Sequence, residues 1–295
     1  MTGALDKHVV DLGREYPDWK PWLAVVEEVL KETADEKWER FVPERPAIQA
    51  GKMPLLAGVT LELEKNIVGR WLQRLLRAAY QNDAPKMSSL KIAKQTRLPN
   101  AALFQSSLCQ NGDQLRRIAI DLGVDADAFQ AVAILVSVPF LQACNRRWAS
   151  SKSESWMEGY CFVCGAWPAF AEVRGIERSR HFRCGRCGGE WEIHCLVCPY
   201  CGMTDHEQLV SLVPETSGST SVVDACKRCR GYVKSFTTLQ GSPPAKVMVD
   251  DLASVALDLA ALEQGYKRPE GPGYSFRVTV MEKSGLSDWI FPWGA

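Results

Sequence analysis

The sequence predicts a multidomain α+β protein: an all-α N-terminal helical domain, two small cysteine-pinned β modules, and a C-terminal helix with a tail. Three observations carry this. Apolar residues recur at helical spacing through the first 150 residues, nine of the eleven cysteines fall between Cys161 and Cys229, and β-forming segments alternate with the cysteine pairs there. A chain of 295 residues, 46% hydrophobic and 24% charged, has the material for more than one core. Its 35 basic and 35 acidic side chains cancel, so no global field draws it to nucleic acid or to an anionic membrane.

The helices come first. Asp18 reads as the cap of a helix with Pro21 in its first turn, carrying Trp22, Val25, Val26, Val29 and Leu30 on one face. Further helices are expected from Leu61 to Tyr80, Ser88 to Thr96, Asn100 to Gln110 and Gln114 to Leu122. A last one runs from Asp125 toward Trp148, bent at Pro139. The segment 43–54 reads as a loop. Trp71, Leu72, Leu75 and Leu76 form a stripe that reads as a buried core face, and Cys109 and Cys144 read as small buried side chains. The first residues show helix-like spacing and acids instead of a basic end leading into an apolar run, so no secretory signal is read. The longest apolar run, 131–141, contains Pro139 and is shorter than a bilayer span. A cytoplasmic protein without membrane insertion is expected. No GxSxG, P-loop or GxGxxG followed by an acid occurs, so no catalytic residue is assigned.

The serine-rich run SSKSESW at 150–156 marks a boundary. The expected division is a helical domain at 1–155, a first metal module at 156–196, a second at 197–240, and a C-terminal helix and tail at 241–295. Each module repeats one unit: CxxCG, strand, strand, CxxC, one residue, glycine, third strand. Gly189 and Gly231 stand in matching places, and 19 and 24 residues separate the paired motifs. In a cytoplasmic chain such pairs are metal ligands rather than disulfides.

CLVCPYCG, residues 195–202, poses a choice, because Cys198 can pair with Cys195 or with Cys201. A CxxCG knuckle turns tightly around a metal, and a glycine after its second cysteine tolerates positive φ. Gly202 follows Cys201 as Gly165 follows Cys164 and Gly188 follows Cys187, whereas Pro199, with φ held negative, follows Cys198. The knuckle is therefore Cys198 with Cys201, and Cys195 is a packed or half-exposed thiol. A [4Fe–4S] run through Cys195, Cys198 and Cys201 lacks its fourth cysteine. Two four-thiolate sets suit either zinc or mononuclear iron of the rubredoxin type, which makes the modules zinc-ribbon-like or rubredoxin-like. Ligand counting leaves the two metals open. Each module is too small for a hydrophobic core alone, so its metal should supply on the order of 10 kcal/mol of folding free energy. His181, His194 and His206 read as surface or strand histidines.

A site closed by four protein ligands leaves no place for a substrate, which argues against hydrolytic catalysis. Zinc ribbons often bind nucleic acid, yet 161–235 is net acidic once eight thiolates and two metal ions are counted with its side chains. A local basic spot remains at RGIERSRHFR. A thiol–disulfide enzyme needs an exposed CxxC, and all four pairs here are committed to sites.

After GSPPAK, the run VMVDDLASVALDLAALEQGY reads as one acidic amphipathic helix. The order of a helical domain, four CxxC pairs, EW at 190–191 and DDLASVALD at 250–258 resembles the FdhE family of formate dehydrogenase accessory proteins. The resemblance covers most of the chain. It implies two rubredoxin-like modules, iron bound through the cysteine pairs, and action on the catalytic subunit of respiratory formate dehydrogenase. Its ligands would be Cys161, Cys164, Cys184, Cys187, Cys198, Cys201, Cys226 and Cys229. The ending departs from the family's short tail, with GYSFRVTVMEKSGLSDWIFPWGA in its place. The expected function is a cytoplasmic maturation factor, not an enzyme, with a nucleic-acid-binding zinc-ribbon protein as the alternative.

Overall fold

The computed structural model describes residues 2–44, 46, 52–81, 85–95, 98–148, 156–193, 196–214 and 220–283. Ten α-helices lie among them: α1 (Thr2–Glu15), α2 (Lys20–Thr33), α3 (Lys65–Tyr80), α4 (Pro85–Ser88), α5 (Asn100–Leu108), α6 (Gly112–Leu122), α7 (Ala126–Ala133), α8 (Val138–Trp148), α9 (Val247–Ala253) and α10 (Val255–Glu263). The strands are β1 (Thr60–Glu64), β2 (Pro168–Arg174), β3 (Ser179–Cys184), β4 (Glu190–Ile193), β5 (Leu209–Leu212), β6 (Ser221–Cys226), β7 (Tyr232–Thr238) and β8 (Thr279–Lys283). The chain forms two compact units, one of Met1–Leu12, Glu44–Ala57 and Leu141–Phe276, the other of Gly13–Pro43, Gly58–Phe140 and Arg277–Ala295.

The helical unit is built on α2, α3 and α5–α7. Val25, Val26 and Val29 of α2 and the stripe Trp71, Leu72, Leu75 and Leu76 of α3 are buried in its core. Trp38 stacks on Phe104 with ring centroids 6.0 Å apart, and Phe104 meets Phe140 edge to face. The buried Glu32 carboxylate accepts from the Trp38 indole at 2.8 Å and pairs with Lys37 and Arg74, so its charge is compensated.

Four local expectations change. In place of the helix expected from Ser88 to Thr96, α4 ends at Ser88 and Ser89–Gln95 is a 3₁₀ helix, with Thr96 outside the described residues. Asp18 does not cap α2, because Pro17–Trp19 forms a 3₁₀ turn and Trp19 takes the N-cap position. The helix expected from Leu61 begins at Lys65, and Thr60–Glu64 is instead a strand paired in parallel with β8. Its alternation TLELE has the period of a strand, and it buries Leu61 and Leu63. The long helix after Asp125 is interrupted by turns at 134–137, ahead of Pro139, which sits in the first turn of α8 where it displaces no helical hydrogen bond. The stretch Ala126–Trp148 is long and apolar enough to cross a membrane by length and composition, yet most of it is buried within the protein.

The other unit is organised by a six-stranded sheet in the order β4-β3-β2-β7-β6-β5. Strands β4, β3 and β2 are antiparallel, as are β7, β6 and β5, and the two triplets join through a parallel β2–β7 pair, Phe170 to Arg174 against Lys234 to Thr238. The two cysteine modules thus share one sheet. Phe170 and Phe236 meet across the seam, ring centroids 5.1 Å apart. Helix α9 places Val247 on Ala169 and Phe170, and α10 places Ala261 on Val223, Ala225 and Tyr232.

Acidic and basic side chains tie these layers together. The expected single helix after GSPPAK is two, α9 and α10, broken at Ser254, whose hydroxyl donates to the Asp250 and Asp251 carbonyls. The break lets both faces of DDLASVALD reach the sheet. Lys234, fully buried on β7, pairs with Asp251 and Asp258 at 2.8 Å each, and Arg268 pairs with the same two carboxylates.

Candidate metal centres

Four turns of one design build the site. In each, the N–H four residues after the first cysteine donates to that cysteine's carbonyl, and the cysteine's own N–H donates to the carbonyl of the next residue on. The donors to the carbonyls of Cys161, Cys184, Cys198 and Cys226 are Gly165, Gly188, Gly202 and Arg230, at 2.8 to 3.0 Å. The acceptors for those four cysteines' own N–H groups are Ala166, Gly189, Met203 and Gly231, at 2.8 to 2.9 Å. This closure requires a left-handed residue, and φ is +65°, +71° and +69° at Gly165, Gly188 and Gly202. The fourth turn reaches φ +59° with Arg230. A side chain there is strained by roughly 1 kcal/mol or more. Its guanidinium donates to the Gln264 and Gly265 carbonyls at the end of α10 and covers the Tyr266 ring at 4.1 Å, which holds the turn in place.

The structure brings the sulfurs into two groups, Cys161, Cys164, Cys184 and Cys187 in one and Cys198, Cys201, Cys226 and Cys229 in the other, each with its atoms within 4.8 Å of one another. The contacts Cys161–Cys187 and Cys164–Cys184 are 3.5 Å, Cys198–Cys229 is 3.5 Å and Cys201–Cys226 is 3.8 Å. A disulfide would need about 2.05 Å. Sulfurs held about 2.3 Å from one ion at the corners of a tetrahedron lie roughly 3.8 Å apart, so both groups fit a tetrahedral metal. Backbone N–H groups point at the sulfurs, Cys187 N to Cys184 Sγ at 3.5 Å and Gly189 N to Cys187 Sγ at 3.4 Å. Burial pushes the Cys161 and Cys187 thiols well above the ordinary range, while hydrogen bonds from its neighbouring thiols draw Cys184 well below it. Metal binding would therefore release protons, and affinity should fall as the pH is lowered.

The groups differ in cover. All four sulfur residues of the first are buried, whereas Cys201 and Cys229 of the second are partly exposed. A chelator or organomercurial titration followed with a metallochromic dye should release one equivalent roughly tenfold or more faster than the other, and Cys201→Ser should remove the fast phase. Equal rates would contradict the difference in cover.

Close backbone approaches join the two groups. A Cβ on Gly159 would lie 1.8 Å from the Pro199 carbonyl oxygen, so the chain entering the first knuckle runs against the CPYC turn. Tyr200, within that turn, donates to the Tyr232 carbonyl at 2.7 Å, packs on Gly231 and meets Trp167 edge to face at 5.1 Å. Sequence reading missed these contacts and Arg230, which could have been found as the residue standing where the other three knuckles carry glycine. It also took DDLASVALD as part of an acidic helix and as a family mark, where the structure gives Asp251 and Asp258 the Lys234 and Arg268 charges.

Cys195 and His194 lie outside the described residues. Cys144 is buried and Cys109 half-buried. His181 lies on β3 and contacts the Ser179 hydroxyl at 3.0 Å, and His206 is exposed. The basic spot at 174–183 is largely neutralised within the unit. Arg183 and Arg174 bind Glu172, Arg174 also binds Glu190, and Arg180 binds Asp224 at 2.9 Å. Glu190 of the EW pair thus holds Arg174, and Trp191 donates its indole N–H to the Glu158 carbonyl.

Residues 193–272, which hold the second knuckle pair and the α9–α10 segment, match the sequence profile "FdhE, C-terminal domain". Over this segment the chain is similar to the FdhE proteins. A protein FdhE homolog of Aquifex aeolicus is 31% identical over 120 residues, 40% of this chain and 42% of its own. The homolog of Pseudomonas aeruginosa is 33% identical over 114 residues, 37% of each chain, and that of Haemophilus influenzae strain PittGG is 26% identical over 172 residues, 57% of this chain and 51% of its own. The matched part thus spans between about two fifths and half of these FdhE sequences. The crystal structure of the FdhE protein from Pseudomonas aeruginosa superposes with a TM-score of 0.53 at 20% identity, covering 92% of this chain and 94% of that one, which shows a shared fold.

Proposed function

We propose that the protein is a non-catalytic maturation factor that binds the catalytic subunit of a respiratory formate dehydrogenase in the cytoplasm before export. Its eight knuckle cysteines would hold two metal ions. The observation that carries this reading is the closed four-sulfur geometry, which leaves no coordination position for a substrate and suits metals that hold a binding surface in shape. The FdhE relationship supplies the client. Iron is the metal the family resemblance implies, and zinc would fill the same donors. In either case the ion's chemistry is to lock the knuckles. The nucleic-acid alternative loses its main footing in the modules, because the arginines of 174–183 are largely engaged with carboxylates of the same unit.

The client is expected to dock on the metal modules and their flanking faces. A pull-down against the catalytic subunit should succeed with the intact protein and fail with Cys161→Ser or Cys226→Ser, through loss of the knuckle rather than of a thiol contact. Formate-dependent respiration should fall in cells lacking the gene. Normal respiration there, or retention of RNA or DNA at physiological salt with no capture of the subunit, would replace this reading with the alternative.

A further inference from the structure

The helical unit contains a cleft of about 1020 Å³ that the metal centres do not use. Its lining among the described residues includes Lys37, Arg40, Arg70, Arg74 and Arg77, and one carboxylate, that of Glu282. Arg70, Arg74 and Arg77 follow the i, i+4, i+7 spacing that places them on one face of α3. Carboxylates of the same unit already engage part of this charge. Glu32 binds Lys37 and Arg74, and Glu64 binds Arg40 at 3.2 Å. At the other wall, Glu282 accepts from the Ala101 N–H at the start of α5, 3.2 Å away. Arg70 and Arg77 are exposed and form no ion pair among the described residues.

We propose that this cleft is a docking site for an acidic peptide segment of a protein partner, with Arg70 and Arg77 binding carboxylates of that segment. The assignment is independent of the formate dehydrogenase reading, which concerns the other unit. The cleft's own chemistry argues for carboxylates, since its engaged cations Lys37, Arg40 and Arg74 and the Ala101 N–H are each met by an aspartate or glutamate of this chain, and the guanidinium fork matches that group. Seven helical steps set Arg70 and Arg77 roughly 10 Å apart, too far for one small anion to bridge. Acidic residues three apart in a polyproline II segment lie on one face and span about the same distance, roughly 9 Å. Polyphosphate binding draws on many neutralised phosphates, and two arginines in a chain of zero net charge are a weak footing for it.

The test is fluorescence anisotropy of the metal-loaded full chain at low salt, with a short labelled peptide bearing glutamates three residues apart. The controls are the same peptide with glutamines and a single-stranded oligonucleotide of equal charge. Binding of the glutamate peptide alone is expected. The double variant Arg70→Glu/Arg77→Glu should weaken it by about tenfold or more with metal content unchanged. Glu282→Ala, which removes the competing carboxylate at the α5 end, should strengthen it several-fold, an effect that mere loosening of the fold would not give. Equal binding of the glutamine peptide, indifference to the arginine reversals, preference for the oligonucleotide, or no binding at all would each overturn the proposal.

Discussion

Cys198→Ser is expected to lower the bound metal from two ions per chain to one and to unfold the triplet β5–β7, whereas Cys195→Ser keeps both ions. The cause is local. Cys198 opens a knuckle whose closing bonds, Gly202 N to Cys198 O at 3.0 Å and Cys198 N to Met203 O at 2.9 Å, are those of the other three turns, and its sulfur lies 3.5 Å from that of Cys229. Removing one thiolate from a four-sulfur site forfeits much of a binding energy on the order of 10 kcal/mol, more than the small core around Val223, Ala225 and Tyr232 can replace. The damage should travel, because β7 is paired with β2 of the first module. Metal analysis would read the stoichiometry, and amide exchange along β2 would read the spread. Retention of two ions by Cys198→Ser, with loss of one from Cys195→Ser, would reverse the pairing.

Lys234→Ala should cost about 3–5 kcal/mol, the range for removing one partner of a buried ion pair, and lower the melting temperature by roughly 10 °C. The Lys234 ammonium is fully buried, donates to the Asp251 carbonyl at 2.6 Å, and pairs with two carboxylates. Its loss leaves Arg268 alone to compensate both. The effect depends on pH. Burial pushes the Asp251 carboxyl up, but the Arg268 and Lys234 charges outweigh it and hold the group below its ordinary range. A depressed folded pKa contributes stability above the unfolded value of about 3.9 and loses it as pH falls through the folded one. The gap between wild type and variant should therefore be full near neutrality and narrow below about pH 4. Thermal unfolding across that range tests both statements. A shift of a degree or less, or a gap that does not narrow in acid, would show that the ion-pair cluster contributes little.

The knuckles were legible in the sequence because everything that shapes them lies within six residues. Cysteine spacing sets the sulfurs, and glycine at 165, 188 and 202 accepts the left-handed turn. The same locality exposed the alternating strands after each pair and the apolar stripe of α3. The two sulfur groups, read as pairs of knuckles, are what the fold brings together.

What the tertiary structure decided is non-local. Nothing near Phe170 or Lys234 in sequence announces that β2 and β7 lie side by side, since parallel pairing joins segments more than sixty residues apart through backbone groups that any residue offers. The strand at Thr60–Glu64 was hidden for the same reason, because its partner is the segment 279–283. Aspartates that read as the polar face of a helix prove to be counter-ions for Lys234 and Arg268, and the helix breaks at Ser254 so that Asp251 and Asp258 can both reach them. Short-range sterics and ligand spacing are written in consecutive residues. Pairing and charge compensation depend on which distant segment arrives, and the balance of burial and desolvation over the whole chain settles that.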